Sequence, residues 1–342
     1  MKKIVVIILF CAICGSLSAQ FDSQLSSYWA APNYYNPAYA GQSGQLQLTG
    51  LYRMQWLGIT HAPKTGILLA EMPFRFFGRE HGVGVSMYND QIGLFKTNLI
   101  SGQYAFKMKL FKGNLSIGIQ GGYISETFNG AGVRMPDDEY YDEQDTAIPT
   151  TEISGNSIDA AAGVFYTDSL KRWYVGLSAT HLFGPKLELN DTYILDIPRS
   201  YYLTAGYNIR LKNPLLELRP SIMLKSTEIG MWKYDAKNDS LLANVRPNTF
   251  KGMLKQSQMD VSLRLAYAQM LWGGLSWRTG ESMIFTLGGK FKAIEVGYAY
   301  DVPVFSDLIR MTSGSHELFI KYSMDMNFKK GLKGKHKSVR LL

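Results

Sequence analysis

Alternation with a period of two constrains this chain more than any other feature. Over residues 258–268, "QMDVSLRLAYA", Met259, Val261, Leu263, Leu265 and Tyr267 fall on one side, and Asp260, Ser262, Arg264 and Ala266 on the other. Side chains alternate faces along a strand, so this spacing predicts a β-strand with one apolar and one charged face. A soluble sandwich would bury the apolar face. A transmembrane barrel would turn it to lipid and keep the polar face for its lumen. One strand fits both.

The same pattern recurs at 46–53, 82–87, 114–123, 173–178, 216–225 and 294–301. Less regular segments lie near 66–72, 96–108, 157–166, 200–211, 271–278, 282–291 and 314–328. Together they predict about fourteen strands, most of ~9–12 residues. The connections then sort into two sets. With strands alternating up and down, the connections near 54–65, 89–96, 125–156, 182–199, 226–257, 279–281 and 301–314 share one end, which holds every long loop. Those near 73–81, 109–113, 167–171, 212–214, 268–270 and 290–293 share the other and are short. Short periplasmic turns and long external loops mark an outer-membrane barrel, and a sandwich has no reason to sort its loops this way. The expected fold is therefore all-β: a transmembrane antiparallel β-barrel over 44–328.

The chain opens "MKKIVVIILFCAICGSLSAQ". Two lysines, an apolar run too short to span a bilayer and small residues up to Ala19 read as a secretory signal peptide over 1–19. Both cysteines, Cys11 and Cys14, leave with it, so no disulfide or thiolate site is expected in the mature chain. The net charge of +8 is carried by Lys2, Lys3 and six cations in the tail after Phe328, "KKGLKGKHKSVRLL". The body is neutral, which argues against a nucleic-acid surface. The tail, 329–342, is expected in the periplasm.

Several phrases, in order, carry a resemblance: "YYNPAYAG" with Asn36, Pro37, Tyr39 and Gly41; "LYRMQWLGITHAPKT" with Arg53, Gln55, Trp56, Pro63 and Lys64; "LSWRTGES" with Arg278; and "GSHELFIKYS" with Gly314, His316 and Glu317. The sequence resembles the PorP/SprF family, outer-membrane proteins associated with the type IX secretion system of Bacteroidetes. The resemblance implies a non-enzymatic component of the secretion and gliding apparatus. Its implied partners are outer-membrane lipid, a periplasmic ring lipoprotein with its partner protein, and a secreted adhesin.

The five histidines are scattered without metal-ligand spacing, and no nucleophile elbow, P-loop or dinucleotide fingerprint occurs. No enzyme, metal or cofactor is expected. The acidic run at 137–145 reads as a solvated external loop. In the segment 20–43, Phe21, Leu25, Tyr28 and Trp29 have helical spacing. It reads as a turn packed beneath the barrel, or as a plug of the periplasmic mouth. Both termini are expected in the periplasm. An alternative function is a porin or hydrophobic-solute transporter: inward Gly, Ser and Ala would leave space, and Arg53, Arg219, Arg264 and Arg278 would line a constriction.

Overall fold

The computed structural model describes residues 22–133, 149, 151–189, 194–228, 231–235, 240–245, 257–304 and 308–326. Residues 1–19, expected above to be a signal peptide, the acidic run 137–145 and the tail 329–342 lie outside them.

Strands occupy β1 (Gln45–Met54), β2 (Lys64–Phe76), β3 (Arg79–Ile92), β4 (Phe95–Leu110), β5 (Gly113–Asn129), β6 (Glu152–Asp168) and β7 (Trp173–Thr180). There follow β8 (Lys186–Glu188), β9 (Ile194–Asp196), β10 (Ser200–Tyr207), β11 (Ile209–Arg210), β12 (Leu216–Thr227), β13 (Met231–Asp235) and β14 (Ser240–Val245). The last are β15 (Ser257–Tyr267), β16 (Leu271–Arg278), β17 (Ser282–Phe291), β18 (Ile294–Val302) and β19 (Ser315–Asp325). Each barrel strand pairs antiparallel with its neighbours, β19 pairs β1, and β10 pairs β12. The sheet therefore closes on itself and leaves no edge. β11 continues β10 against β12, so the wall is a closed antiparallel barrel of fourteen strands.

The period of two places the side chains. Leu48, Leu68, Ile100, Ile119, Leu263 and Leu275 face outward and are exposed, while Thr49, Ser86, Ser116, Ser262 and Thr286 face inward and are buried. An exposed apolar belt around a polar inner wall is the inverse of a soluble core and matches a lipid solvent. An Arg in place of Leu275, which sits mid-strand between Leu263 and Phe285, is expected to lower barrel stability by about 2–4 kcal/mol. Urea titration of the heat-modifiable folded band in liposomes measures this. An unchanged midpoint would mean the position does not face lipid.

The sorting of the connections holds, with two shortenings. Strands β3 and β4 extend until only Gly93 and Leu94 separate them, and β2 and β3 until only Phe77 and Gly78 do. The latter pair has φ 46° and 72°. Both values are positive, as in the tight hairpin turn that follows the strands' right-handed twist. Two expected loops hold small hairpins, β8–β9 and β13–β14. Leu187 and Ile197, on and beside the first, are buried in the same apolar cluster as Leu25, Tyr35 and Tyr202.

Candidate functional site: a filled lumen

The segment before β1 lies inside the barrel. Asp22 contacts His181, Tyr202 and Lys225, all at the long-loop end. The chain then runs down the lumen and reaches Gly41 against Glu71 in the short-turn half. Of the two readings of this segment, the turn beneath the barrel does not fit this placement and the plug does. The expectation that the segment starts at the short-turn end is corrected: Asp22 is at the opposite end from the start of β1 and the finish of β19. The space that inward small residues were expected to leave open is filled. A Cβ on Gly118 would overlap the backbone of Pro37 and Ala38, and one on Gly82 would overlap Ala40.

Local chemistry sets the path of the segment. Pro32 begins a single helical turn, Pro32–Tyr35, where its fixed φ suits the first position. Asn36 then caps a 3-10 turn, Pro37–Tyr39, accepting from Ala38 N–H at 2.9 Å. Its Nδ2 donates to the wall at Val164 O, 3.1 Å, and Leu177 O, 3.3 Å. Gly41 has φ +65° and passes so close to Met72 that a Cβ would sit 2.8 Å from its carbonyl oxygen. Tyr39 packs edge-on to Phe165, 5.0 Å between centroids. Asn36→Ala strips one cap and two wall contacts at a buried site. It is expected to cost about 1–3 kcal/mol, measured as a lower urea midpoint of the folded band; an unchanged midpoint would mean Asn36 does not hold the segment.

Towards the long-loop end the segment is bound by charge. Arg53 lies opposite Glu317 across β1 and β19, and Asp260 opposite Arg278 across β15 and β16. Arg53 Nη2 is 2.8 Å from Asp301 Oδ2, and Arg278 Nε is 3.1 Å from Asp260 Oδ1. Arg278 Nη1 reaches both Asp301, 3.4 Å, and Glu281, 3.5 Å. The segment completes the network. Glu317 accepts the backbone N–H groups of Ser26 and Ser27, both at 2.7 Å. Ser26 Oγ donates to Asp301 at 2.6 Å and receives a short bond from Arg53 Nη1. Arg278 Nη2 donates to Leu25 O at 3.0 Å, and Gln24 Nε2 to Asp260 at 3.2 Å. Charge-assisted bonds of this kind are about twice as strong as neutral ones.

A second cluster anchors Asp22. His181 Nε2 stands 2.8 Å from Asp22 Oδ1, and its Nδ1 stands 3.0 Å from Asp159 Oδ2. Burial alone would raise the Asp22 pKa; the attraction of His181 and Lys225 outweighs it and holds the carboxyl well below the usual range. Below the charges, Trp29 packs edge-on to Trp272, 4.8 Å, and Phe319, 5.6 Å.

The sequence-selected residues separate into three groups. Arg53, Arg278 and Glu317 meet in the lumen cluster, and Asn36, Pro37, Tyr39 and Gly41 in the short-turn half. Gln55, Trp56, Pro63, Lys64 and Gly314 lie at the long-loop rim, where Gln55 N–H bonds Pro63 O and Trp56 N–H bonds Ser315 Oγ. His316 does not join Glu317: it faces outward and pairs with Tyr298 OH at 2.6 Å. The expected arginine constriction is also corrected. Arg53 and Arg278 are buried in ion pairs at one end, while Arg219 and Arg264 lie apart in the short-turn half. Sequence reasoning missed Asp22, Gln24, Ser26, Asp260 and Asp301. Opposite charges on inward positions near the ends of β15, β16, β18 and β19 were the available signal.

Fold and lumen together define a plugged outer-membrane β-barrel. The chain belongs to the family of type IX secretion system membrane proteins PorP/SprF, whose model matches residues 17–322. It is accordingly an outer-membrane component of that system. None of the curated proteins compared with it matches. Among solved structures it is similar to the CymD monoaromatic hydrocarbon channel, with 12% identity over 87% of this chain and 93% of that one and a TM-score of 0.45. It is also similar to the Pseudomonas putida toluene transporter TodX, with 10% identity over 85% and 92% and a TM-score of 0.43. The outer-membrane protein Omp33 of Acinetobacter baumannii shares 10% identity over 82% and 98%, with a TM-score of 0.42.

Proposed function

We propose that this protein is a closed, non-enzymatic anchor of the type IX apparatus rather than a pore. Its wall is fixed by outer-membrane lipid. Its short-turn end faces the periplasm and meets the ring lipoprotein and its partner, and its long loops hold a secreted adhesin. The observation that carries this reading is the filled lumen: a transporter needs a path where this chain has placed its own N-terminal segment.

The short-turn end supports the docking role. Phe77 and Phe111 stand at the tips of their turns, 90% and 91% exposed, and Leu170, Met270 and Phe291 are exposed at three others. Arg79, Lys112, Lys171, Arg172 and Lys292 lie among them. Exposed aromatic residues, methionine and arginine are enriched at protein interfaces, and the lysines would draw an acidic partner by long-range attraction. The test is crosslinking in intact envelopes of the producing bacterium. The parent is expected to capture a periplasmic lipoprotein. The pair Phe77→Ser and Phe111→Ser is expected to lose most of that product while the heat-modifiable folded band is unchanged. Full capture by the pair would contradict the docking surface. A stable, large conductance of the purified parent in planar bilayers would contradict the closed lumen and favour the transporter.

A further inference from the structure

Between the N-terminal segment and the wall strands β6, β7, β10, β12, β15, β18 and β19 lies a cavity of about 330 Å³. It reaches the short-turn end at Lys171 and Asn208. Its charged lining holds four cations, Lys171, Arg219, Arg264 and Lys321, against two carboxylates, Glu217 and Glu295. Both carboxylates are engaged: Glu217 accepts from Arg219 Nε at 2.7 Å, and Glu295 from Trp272 Nε1 at 3.1 Å.

Arg264 is the unusual member. Among the described residues its guanidinium has no ion pair, and it lies 3.6 Å from the centroid of the Trp29 ring. Its Nε is buried without a hydrogen-bond partner, and so is Nε1 of Trp29. Neither atom is open to the cavity, so a ligand there meets Arg264 at its outer guanidinium nitrogens, which are donors only and call for an acceptor. The surplus of cations in a site partly shielded from water favours an acceptor that carries negative charge. Trp29, Phe165 and Tyr174 supply flat apolar walls beside it. A few convergent polar groups in an aromatic-lined cavity of this size are the makings of a small-ligand site.

We propose that this cavity binds a small organic anion. Arg264 receives the carboxylate or phosphate, Lys321 adds long-range attraction, and the body of the ligand lies against Trp29 and Tyr174. The site is separate from the ion-pair cluster of Arg53 and Arg278, whose charges are satisfied internally. It does not depend on the anchoring role.

The test is calorimetric titration of the whole mature protein folded in detergent, at constant ionic strength. The probes are benzoate, its neutral counterpart benzyl alcohol, and inorganic phosphate. Saturable benzoate binding is expected, with benzyl alcohol at least about tenfold weaker. Arg264→Gln is expected to weaken benzoate at least about tenfold and to leave benzyl alcohol unchanged. Phosphate binding as tightly as benzoate would overturn the role given to Trp29 and Tyr174, since the aromatic walls would then add nothing. Equal binding of benzoate and benzyl alcohol, or no saturable binding of either anion, would overturn the proposal. If Arg264→Gln does not fold, the comparison of benzoate with benzyl alcohol on the parent protein still decides.

Discussion

Arg278→Leu is expected to lower the unfolding free energy of the barrel by about 3–5 kcal/mol. Arg278 is fully buried and is the hub of the lumen cluster, touching Asp260, Asp301, Glu281 and the carbonyl of Leu25. Leucine would leave Asp260 buried without its cation, leave Asp301 to Arg53, and drop one anchor of the N-terminal segment. Removing one partner of a buried pair costs far more than the pair contributes, because desolvated charge stays behind. Adding Asp260→Asn to Arg278→Leu is accordingly expected to recover part of the loss. Urea titration of the heat-modifiable band reads both variants. A loss below about 1 kcal/mol for the single variant would place the cluster in solvent rather than in a closed lumen.

Gly118→Leu is expected to expel the segment altogether. The inner wall at Gly118 lies against the backbone of Pro37 and Ala38, with no room for a Cβ. Overpacking against side chains is relieved by rotamer shifts at about 1–3 kcal/mol. Here the obstacle is backbone on both sides, fixed in the wall by the β4 and β6 pairings. The segment is the part that can leave. Two readouts follow. Chymotrypsin should cut at Tyr34, Tyr35 or Tyr39 in the folded variant and not in the parent, and the variant should show a stable open conductance in planar bilayers. Gly82→Leu, which meets Ala40 instead, should behave alike. A variant that remains protected and closed would mean the segment does not occupy the lumen at this depth.

The wall was legible because its rule is local. Each strand must show an apolar residue to lipid at every second position, so Met259 to Tyr267 or Leu115 to Tyr123 can be read without knowing any partner. The strand count and the two ends followed from the connections. The lumen was less legible. Parity puts Arg53, Asp260, Arg278, Asp301 and Glu317 inside, but it does not say whether they meet water or each other. That depends on closing a ring that brings residue 26 beside residue 317, 291 positions away in the sequence. The glycines misled for a related reason. Inward Gly82 and Gly118 read as open space, whereas each is a place where another backbone comes close. The helical spacing of Leu25, Tyr28 and Trp29 marked an apolar segment correctly. Spacing alone cannot distinguish a surface beneath the barrel from the interior of it. His316 adjoins Glu317 in sequence, and strand alternation separates them to opposite faces.

Disulfide trapping tests the filled lumen most directly. The two cysteines of the sequence, Cys11 and Cys14, both precede the segment, and both are replaced by Ser in the variants below. Thr65 Oγ1 donates to Ser23 Oγ at 3.1 Å, so Ser23→Cys with Thr65→Cys joins the segment to β2. Ser262→Cys with Ser276→Cys, whose hydroxyls are 2.7 Å apart across β15 and β16, serves as the wall control. Oxidation in intact outer membranes should shift both double variants on a denaturing, non-reducing gel, and reductant should reverse the shift. A control that crosslinks while the 23–65 pair stays linear would mean the segment is elsewhere, and the plugged barrel with it would be wrong.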